Sequence, residues 1–201
     1  MNDDKNSFES NLSSGNSNQS PLTKNKSTLP GFIWNISALS SKDGVNIPRF
    51  LTNLGIFSDY SIGQLNDLSN QFYVRTFDEN EIIFNNGDLG LGFYIIVSGS
   101  VRLLIGSIDD ESISKSEIML EKGDYFGELS LLQERSERNA TAIANEKTLM
   151  LGLFRPDLDA LIQTQPHMAA KFIQTISGII ANRFLNLSRD YYRLKKQTLE
   201  K

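Results

Sequence analysis

Between residues 73 and 154 the sequence is cut into short apolar stretches by glycine-containing turns. The stretches are rich in β-branched and aromatic residues and cover residues 73–77, 81–84, 93–97, 101–105, 140–144 and 148–154. Turn signals between them include Gly87-Asp88, Gly90, Gly92 and Gly99. Short strands at this spacing predict an antiparallel β-roll or jelly-roll barrel. Residues 108–116 are polar and acidic apart from Ile108 at the start and Ile113, which predicts the exposed tip of a hairpin.

Helical periodicity flanks the strand region on both sides. From Ile47 onward, apolar residues recur with helical spacing, and Ser61 and Gln64 have the spacing of a capping box. After the strands, residues 156–163 predict a short helix. A long helix is predicted after Pro166, because no later proline interrupts the chain.

This order of elements defines the fold class and the domain boundaries. We expect a mainly β protein with flanking α: an antiparallel β-roll or jelly-roll barrel over residues 46–165, with amino-terminal helices, and a long carboxy-terminal helix over residues 166–201. Residues 1–45 are rich in Asn and Ser and predict a disordered or loosely docked tail. Within the tail, Phe32-Ile33-Trp34 is either a patch that docks on the domain or a segment that binds a partner or caps a ligand.

The long helix carries apolar residues in steps of three and four. They are Ile173, Ile176, Ile180, Phe184, Leu187, Tyr191 and Leu194. Such spacing is typical of the seam between two like helices. A helix of about 30 residues extends roughly 45 Å, which is longer than one barrel can cover. We therefore favour a parallel homodimer through this helix; the alternative is a helix that packs only on its own barrel.

Composition limits the classes of function. The 201 residues carry a net charge of −4 and no cysteine. This charge provides no general attraction to nucleic acid or anionic membranes, and the absence of cysteine excludes disulfides and thiolate metal sites. No stretch reaches the roughly 20 apolar residues of a membrane span, and the amino terminus lacks the pattern of a secretory signal. We therefore expect a cytoplasmic protein without a membrane span.

Catalytic and DNA-binding signatures are missing from the sequence. His167 is the single histidine, which cannot by itself form a multi-histidine metal site. We find no nucleophile elbow, Walker-type loop or Cys/His pair. We therefore expect no catalytic residue, metal or cofactor. The sequence ends at Lys201 without length for a recognition helix after the long helix, so we also expect no DNA partner.

One loop combines a glycine with two opposite charges. Residues 126–132 begin with a Phe-Gly-Glu run and lead into a short predicted helix whose first amides would suit an anion. Glu128 can accept a hydrogen bond from a ribose hydroxyl, and Arg138 can pair with a phosphate in two-pronged geometry. Arg135, in the same loop, is the competing arginine. We favour Arg138 because residues 139–141 start a strand directly after it.

The loop resembles the phosphate-binding cassette of cyclic nucleotide-binding domains, the family of bacterial catabolite activator proteins and protein kinase A regulatory subunits. The resemblance extends upstream to Gly87-Asp88-Leu89-Gly90, Phe93-Tyr94-Ile95-Ile96 and Gly99-Ser100-Val101. Downstream, the short and long helices are similar to the hinge and dimer helices of the bacterial branch. The resemblance covers residues 47–194 and implies a cyclic nucleotide, cAMP or cGMP, as the ligand.

The resemblance also implies roles for the cassette residues. Arg138 would bind the exocyclic phosphate oxygens and Glu128 the ribose 2′-hydroxyl. The backbone of Gly127, Leu129 and Ser130 would surround them.

The base side of the ligand is less specified by the resemblance. Asn139 and Ala140 complete the predicted ligand-binding set, but Asn139 departs from the Ala, Ser or Thr that is common in the family. Asn139 therefore does not identify the base. Between the two ligands, we favour cAMP over cGMP. Arg183, Asn186 and Ser188 of the long helix are candidates for closing the base side; the alternative is that they form a solvated helix face.

Together these features predict a stand-alone cyclic nucleotide sensor, a regulatory protein of signal transduction that acts in trans on an unknown effector protein. Two alternatives stay open. One is a nucleotide-free β-roll scaffold for interactions, since some domains of the family bind nothing. The other is a sensor for a cyclic dinucleotide.

Overall fold

The computed structural model describes residues 44–105, 116–133 and 136–199. The predicted tail up to residue 43, which includes Trp34, lies outside the described residues. So do the predicted hairpin tip up to residue 115 and the competing arginine, Arg135. All described residues belong to one structural unit.

Two short helices and a 3-10 turn precede the sheets. They are α1 (Ile47–Thr52), the 3-10 turn (Gly55–Phe57) and α2 (Ile62–Ser69). At the start of α1, the Asn46 side chain accepts a hydrogen bond from the Arg49 amide. At the start of α2, Ser61 and Gln64 form the predicted capping box, in which each side chain accepts a hydrogen bond from the other residue's amide. These bonds satisfy amides that a first helical turn leaves without partners.

Eight strands form two four-stranded antiparallel sheets. The strands are β1 (Tyr73–Phe77), β2 (Ile82–Phe84), β3 (Gly92–Ser98), β4 (Val101–Ile105), β5 (Ser116–Leu120), β6 (Tyr125–Phe126), β7 (Ala140–Ala144) and β8 (Thr148–Phe154). Their order is β1-β8-β3-β6 in one sheet and β2-β7-β4-β5 in the other. The predicted β-roll is therefore confirmed, and six of the strands agree with the predicted bounds to within one residue at each end.

Strands β5 and β6 are absent from the sequence-based prediction. β5 is an edge strand, and its residues are mostly exposed, so it lacks the alternating burial that a sequence pattern reveals. β6 has two residues. Its pairing with β3 depends on tertiary context rather than on a local run of apolar residues.

The core lies on both faces of β3, because successive strand residues point in opposite directions. Phe93, Ile95 and Val97 belong to the apolar cluster that the helices form against this sheet. Tyr94 instead lies among the aromatic rings of Phe84 and Phe126, with ring centroids 6.0 and 5.3 Å away. This second cluster packs β2 of one sheet against β3 and β6 of the other.

One helix lies within the cassette, and two helices follow the last strand. α3 (Leu129–Leu132) lies inside the cassette, α4 (Arg155–Thr164) follows β8, and α5 (Pro166–Leu199) is the predicted long helix. Gln165 separates α4 from α5 with a non-helical backbone. Within the described residues, no helix combines the length and apolar character that crossing a bilayer requires.

The long helix is covered along only part of its length. Its first half buries five apolar side chains in the core: Met168, Ala169, Phe172, Ile176 and Ile179. Every residue from 189 to 199 is exposed. The roll therefore covers only the first half of α5, and the assignment of residues 166–201 as a dimerisation helix stays a prediction.

Candidate functional site

The cassette residues surround a pocket at one end of the roll. The cavity between them is about 100 Å³ and opens to solvent. The lining includes every cassette residue that the sequence singled out: Gly127, Glu128, Leu129, Ser130, Arg138, Asn139 and Ala140. Arg183 reaches the same pocket from α5, whereas Asn186 and Ser188 are not among the lining residues.

Arg138 is held in the wall of this pocket by its backbone and its side chain. Its amide donates to the Asp88 carbonyl and its carbonyl accepts from the Gly87 amide, both at 2.8 Å. The Gly87-Asp88 turn therefore fixes the position of the arginine. The guanidinium donates through Nη1 to Ser130 Oγ at 2.8 Å and through Nη2 to the Gly92 carbonyl at 2.9 Å.

The Arg138 guanidinium is a buried charge whose hydrogen-bond partners are neutral. The residue is 6% exposed, and its guanidinium carbon lies 4.1 Å from the centre of the Phe84 ring. Among the described residues, no carboxylate forms an ion pair with it and its Nε has no hydrogen-bond partner. Burial lowers the pKa of Arg138, an effect that the nearby Tyr94 opposes. Glu128 and Asp88 also oppose the lowering of this pKa through their negative charges. Since neither carboxylate forms an ion pair with the buried guanidinium, this geometry favours an anion in the pocket.

Tyr94 does not supply the missing negative charge. Burial raises its pKa to about 12, although the neighbouring Arg138 acts in the opposite direction. The phenol is therefore neutral near pH 7. It packs against the guanidinium of Arg138, 5.4 Å from the ring centre, without neutralising it.

Two glycines let the cassette approach Arg138 closely. Gly127 has a φ of +80°, and a Cβ there would lie 2.6 Å from the Gly92 carbonyl oxygen and 2.7 Å from Arg138 Nη1. A Cβ on Gly90 would lie 2.1 Å from Ser130 Oγ, the atom that accepts from the guanidinium. Both positions therefore require glycine for steric reasons, and Gly127 also for its backbone conformation.

Glu128 is buried in the cassette, and α5 supplies its partner. The residue is 5% exposed, and its Oε1 accepts a hydrogen bond from Arg183 Nη1 at 2.8 Å. Arg183 Nη2 donates to the Tyr125 carbonyl at 2.7 Å. The second oxygen of Glu128, Oε2, is buried and has no hydrogen-bond partner among the described residues. Glu128 therefore keeps one acceptor available while the other is bound to the long helix.

The remaining candidates differ in their surroundings. Ser130 is buried, and its amide donates to the Gly127 carbonyl at 3.2 Å, so its hydroxyl is the group that meets Arg138. Leu129 is 37% exposed, Asn139 is exposed and Ala140 is buried. These three lie at the mouth and floor of the pocket.

Two of the helix candidates do not line the pocket. The Asn186 side chain accepts a hydrogen bond from Arg189 on the same helix, and Ser188 is half-buried. Arg183, by contrast, contacts Glu128 and Tyr125 rather than an open base site. Any role of these three residues at the base stays a prediction.

Sequence reasoning missed part of the lining. Phe84 and Leu103 were not predicted, whereas Phe126, Ser136 and Glu137 lie within the predicted segment but were not assigned to the ligand. Phe84 on β2 and Leu103 on β4 both pair with Ala142 of β7. Strand pairing is therefore what brings Phe84 and Leu103 to the pocket, and a local sequence motif does not contain that information. In the described part of the chain, no group of three or more His, Asp or Glu side chains could hold a metal ion.

Comparison with known proteins gives the family that the cassette sequence resembles. Residues 74–165 match the family model of the cyclic nucleotide-binding domain. The cyclic AMP receptor protein of Thermus thermophilus is 38% identical over 112 residues, which cover 56% of this chain and 49% of that protein. A cGMP-dependent protein kinase of Toxoplasma gondii is 30% identical over 151 residues, covering 71% of this chain and 14% of the kinase. The chain thus spans about half or less of the length of these relatives.

A solved structure supports the assignment. The catabolite activator protein of Thermus thermophilus superposes with a TM-score of 0.60 at 30% identity, over 70% of this chain and 62% of that one. A cyclic nucleotide-binding domain from Methylobacillus flagellatus superposes with the same TM-score at 20% identity, which shows the shared fold. Residues 74–165 therefore match a cyclic nucleotide-binding domain, and the fold is similar to that of the catabolite activator protein.

Proposed function

We propose that this protein is a sensor that binds a cyclic nucleotide in the cassette pocket. The observation that carries the proposal is the buried Arg138 guanidinium, whose hydrogen-bond partners are neutral. A phosphate is the anion that best matches a guanidinium, because two N–H groups can bind two oxygens at once. Cyclic nucleotide-binding domains are regulatory domains, and we propose that the chain has no catalytic activity of its own.

Glu128 supplies the second half of the site. Its Oε2 is buried without a partner in the described structure, so a donor on the ligand would satisfy it. A ribose 2′-hydroxyl is such a donor. The separation of roles, guanidinium to phosphate and carboxylate to sugar, keeps the ligand phosphate away from the negative side chain.

We propose cAMP as the preferred ligand, with cGMP as the competitor. The Thermus thermophilus relative is named for cyclic AMP, and the Toxoplasma gondii relative for cGMP. Asn139 is exposed at the pocket and carries both a donor and an acceptor, so either base has a partner there. A cytoplasmic location is part of the same proposal.

Titration calorimetry of the purified protein with cAMP, cGMP and a cyclic dinucleotide tests this function. We expect saturable binding of cAMP that is tighter than that of cGMP. Tightest binding of the cyclic dinucleotide would replace the proposed ligand class. Absence of binding for all three would favour the nucleotide-free scaffold.

We further propose that the ligand shifts the position of α5. Two contacts connect the cassette to the following helices: Arg183 of α5 binds Glu128, and Arg155 of α4 donates to the Leu131 carbonyl at 3.0 Å. A ligand that binds Glu128 thus uses a residue that also holds α5. Because one conformation of the cassette serves both contacts, binding favours the docked helix, which is a population shift.

Replacing Arg183 by methionine tests this connection. We expect the variant to bind cAMP about fivefold more weakly, since a partly exposed charged contact contributes about 1 kcal/mol. We also expect faster hydrogen exchange in α5 around residue 183, with and without ligand. The matched control is Arg189→Met, because Arg189 lies on the same helix and contacts Asn186. Tighter binding by the Arg183 variant would mean that Arg183 competes with the ligand.

We propose that the second half of α5 forms a parallel homodimer. Phe184, Leu187, Tyr191 and Leu194, hereafter the seam, repeat in steps of three and four and are 59–68% exposed. Apolar side chains at this spacing pack against a like helix. The output would then act in trans on an effector protein.

Changing the seam is expected to separate the subunits. The double variant Phe184→Ser/Leu187→Ser removes two apolar side chains from the interface, so it should be monomeric by light scattering, while the wild type has the mass of a dimer. Circular dichroism controls for loss of helix. A wild type that is monomeric at all concentrations would contradict the proposed dimer.

A further inference from the structure

The second half of α5 carries another set of apolar side chains besides the seam. Leu185, Tyr192 and Leu199, hereafter the outer stripe, follow each other at intervals of seven residues. They are 49%, 67% and 77% exposed. Residues seven apart lie on the same side of a helix, because seven residues make about two turns. The outer stripe thus places three apolar side chains on one side of the helix, about 10.5 Å apart along its axis.

The roll of the same chain does not cover the outer stripe. Leu185 lies nine residues after the buried Ile176, which is about two and a half helical turns, so the two side chains point to opposite sides. Tyr192 lies twenty residues after the buried Phe172, which is about five and a half turns, so these two side chains also point to opposite sides. The outer stripe therefore faces away from the core that the first half of α5 packs into.

A second copy bound at the seam would leave the outer stripe exposed as well. If Phe184 and Leu187 take the a and d positions of a heptad, Leu185, Tyr192 and Leu199 take the b positions. In a two-stranded coiled coil, a and d face the partner and b does not. This step rests on the homodimer of the proposed function. The finding that the outer stripe faces away from the roll does not depend on that homodimer.

Positive charge borders the outer stripe on both sides. Arg189 follows Leu185 by four residues and precedes Tyr192 by three, whereas Lys195 follows Tyr192 by three and precedes Leu199 by four. Residues three or four apart are neighbours on a helix surface. The one carboxylate of residues 184–199, Asp190, forms an ion pair with Arg193 at 3.6 Å. The border is therefore basic, although the whole chain has a net charge of −4.

We propose that the outer stripe is the output surface of the protein and docks a partner helix whose apolar face is bordered by acidic side chains. An amphipathic helix presents anchors at the i, i+3, i+4 and i+7 positions, so anchors seven residues apart would meet successive members of the outer stripe. Acidic side chains beside those anchors would face Arg189 and Lys195. Such charge complementarity sets the choice of partner and its orientation.

Two synthetic probes test the proposal on the full chain. One is an amphipathic peptide of about 20 residues with leucines at helical spacing and flanking glutamates; the other has lysines in place of the glutamates. We expect anisotropy titrations to show binding of the glutamate peptide and at least about tenfold weaker binding of the lysine peptide. The triple variant Leu185→Ser/Tyr192→Ser/Leu199→Ser should lose at least about tenfold in affinity for the glutamate peptide. The seam variant Phe184→Ser/Leu187→Ser should keep it.

Three outcomes would overturn the outer stripe as a docking site for an acidic helix. One is equal affinity of the triple variant and the wild type for the glutamate peptide. Another is a lower oligomeric mass of the triple variant in light scattering, since the occupant would then be a second copy of this chain. The third is that the wild type binds phosphatidylserine vesicles but neither peptide, and that the triple variant no longer binds the vesicles. No nucleotide is added in these assays, so a failure of nucleotide binding is a separate result.

Discussion

Replacing Arg138 by methionine is expected to lower the affinity for cAMP at least about thirtyfold. The reason is the burial of the guanidinium, which is 6% exposed and would meet the ligand phosphate in a site with little water. Truncating one partner of a buried charge pair costs roughly 2–5 kcal/mol. Methionine keeps much of the apolar contact with Phe84 and Tyr94, so the loss reports the charge rather than the packing.

The measurement is titration calorimetry together with thermal unfolding at fixed ligand concentration. In the wild type, cAMP at a hundredfold excess over its Kd should raise the free energy of unfolding by about 2.7 kcal/mol, an increase that the Arg138 variant should lack. Arg75→Met is the control. Arg75 forms an ion pair with Glu81 near the β1–β2 turn and does not line the pocket. If both variants bound cAMP equally well, Arg138 would not be the phosphate ligand.

Replacing Glu128 by alanine is expected to weaken cAMP by about tenfold or more, since a hydrogen bond to a charged group contributes roughly 1.5–3 kcal/mol. The same variant should bind 2′-deoxy-cAMP as well as the wild type does, because that ligand lacks the donor for Oε2. The difference between the two ligands isolates the sugar contact from any general effect on the cassette.

A control of equal charge separates this contact from long-range electrostatics. Glu79 is exposed in the β1–β2 turn, and Glu79→Ala removes the same negative charge from the molecule without touching the pocket. It should bind both ligands like the wild type. Equal weakening of cAMP and 2′-deoxy-cAMP by the Glu128 variant would contradict a bond to the 2′-hydroxyl and point to a structural role through Arg183.

Much of the β-roll could be predicted because its strands are local patterns. The strands from Tyr73 and Val101 are bounded by turns and contain β-branched or aromatic residues, so their bounds follow from the sequence alone. β5 was missed because an edge strand with exposed residues has no apolar alternation. β6 was missed because two residues are too few to form a pattern.

In the candidate site, too, the residues of the local motif could be predicted, whereas the contacts made by tertiary packing could not. Glu128 and Arg138 are ten residues apart in one loop, and two opposite charges beside a glycine are unusual for a turn that serves packing alone. The contact of Arg183 with Glu128 was not predictable. Helical periodicity shows which side of α5 is apolar, but the angle at Gln165 decides which polar residue reaches the cassette. The aromatic wall from Phe84 likewise depends on the pairing of β2 with β7.

The contact of Arg183 with Glu128 also marks the place where α5 leaves the roll. The sixteen residues beyond it extend about 24 Å at the rise of an α-helix, and most of them are exposed. Anything that binds near Tyr192 is thus held well away from the pocket mouth. We expect a partner to stay bound while nucleotide enters and leaves. The speed of the response would then depend on how fast the nucleotide dissociates, and assembly of the complex would not limit it.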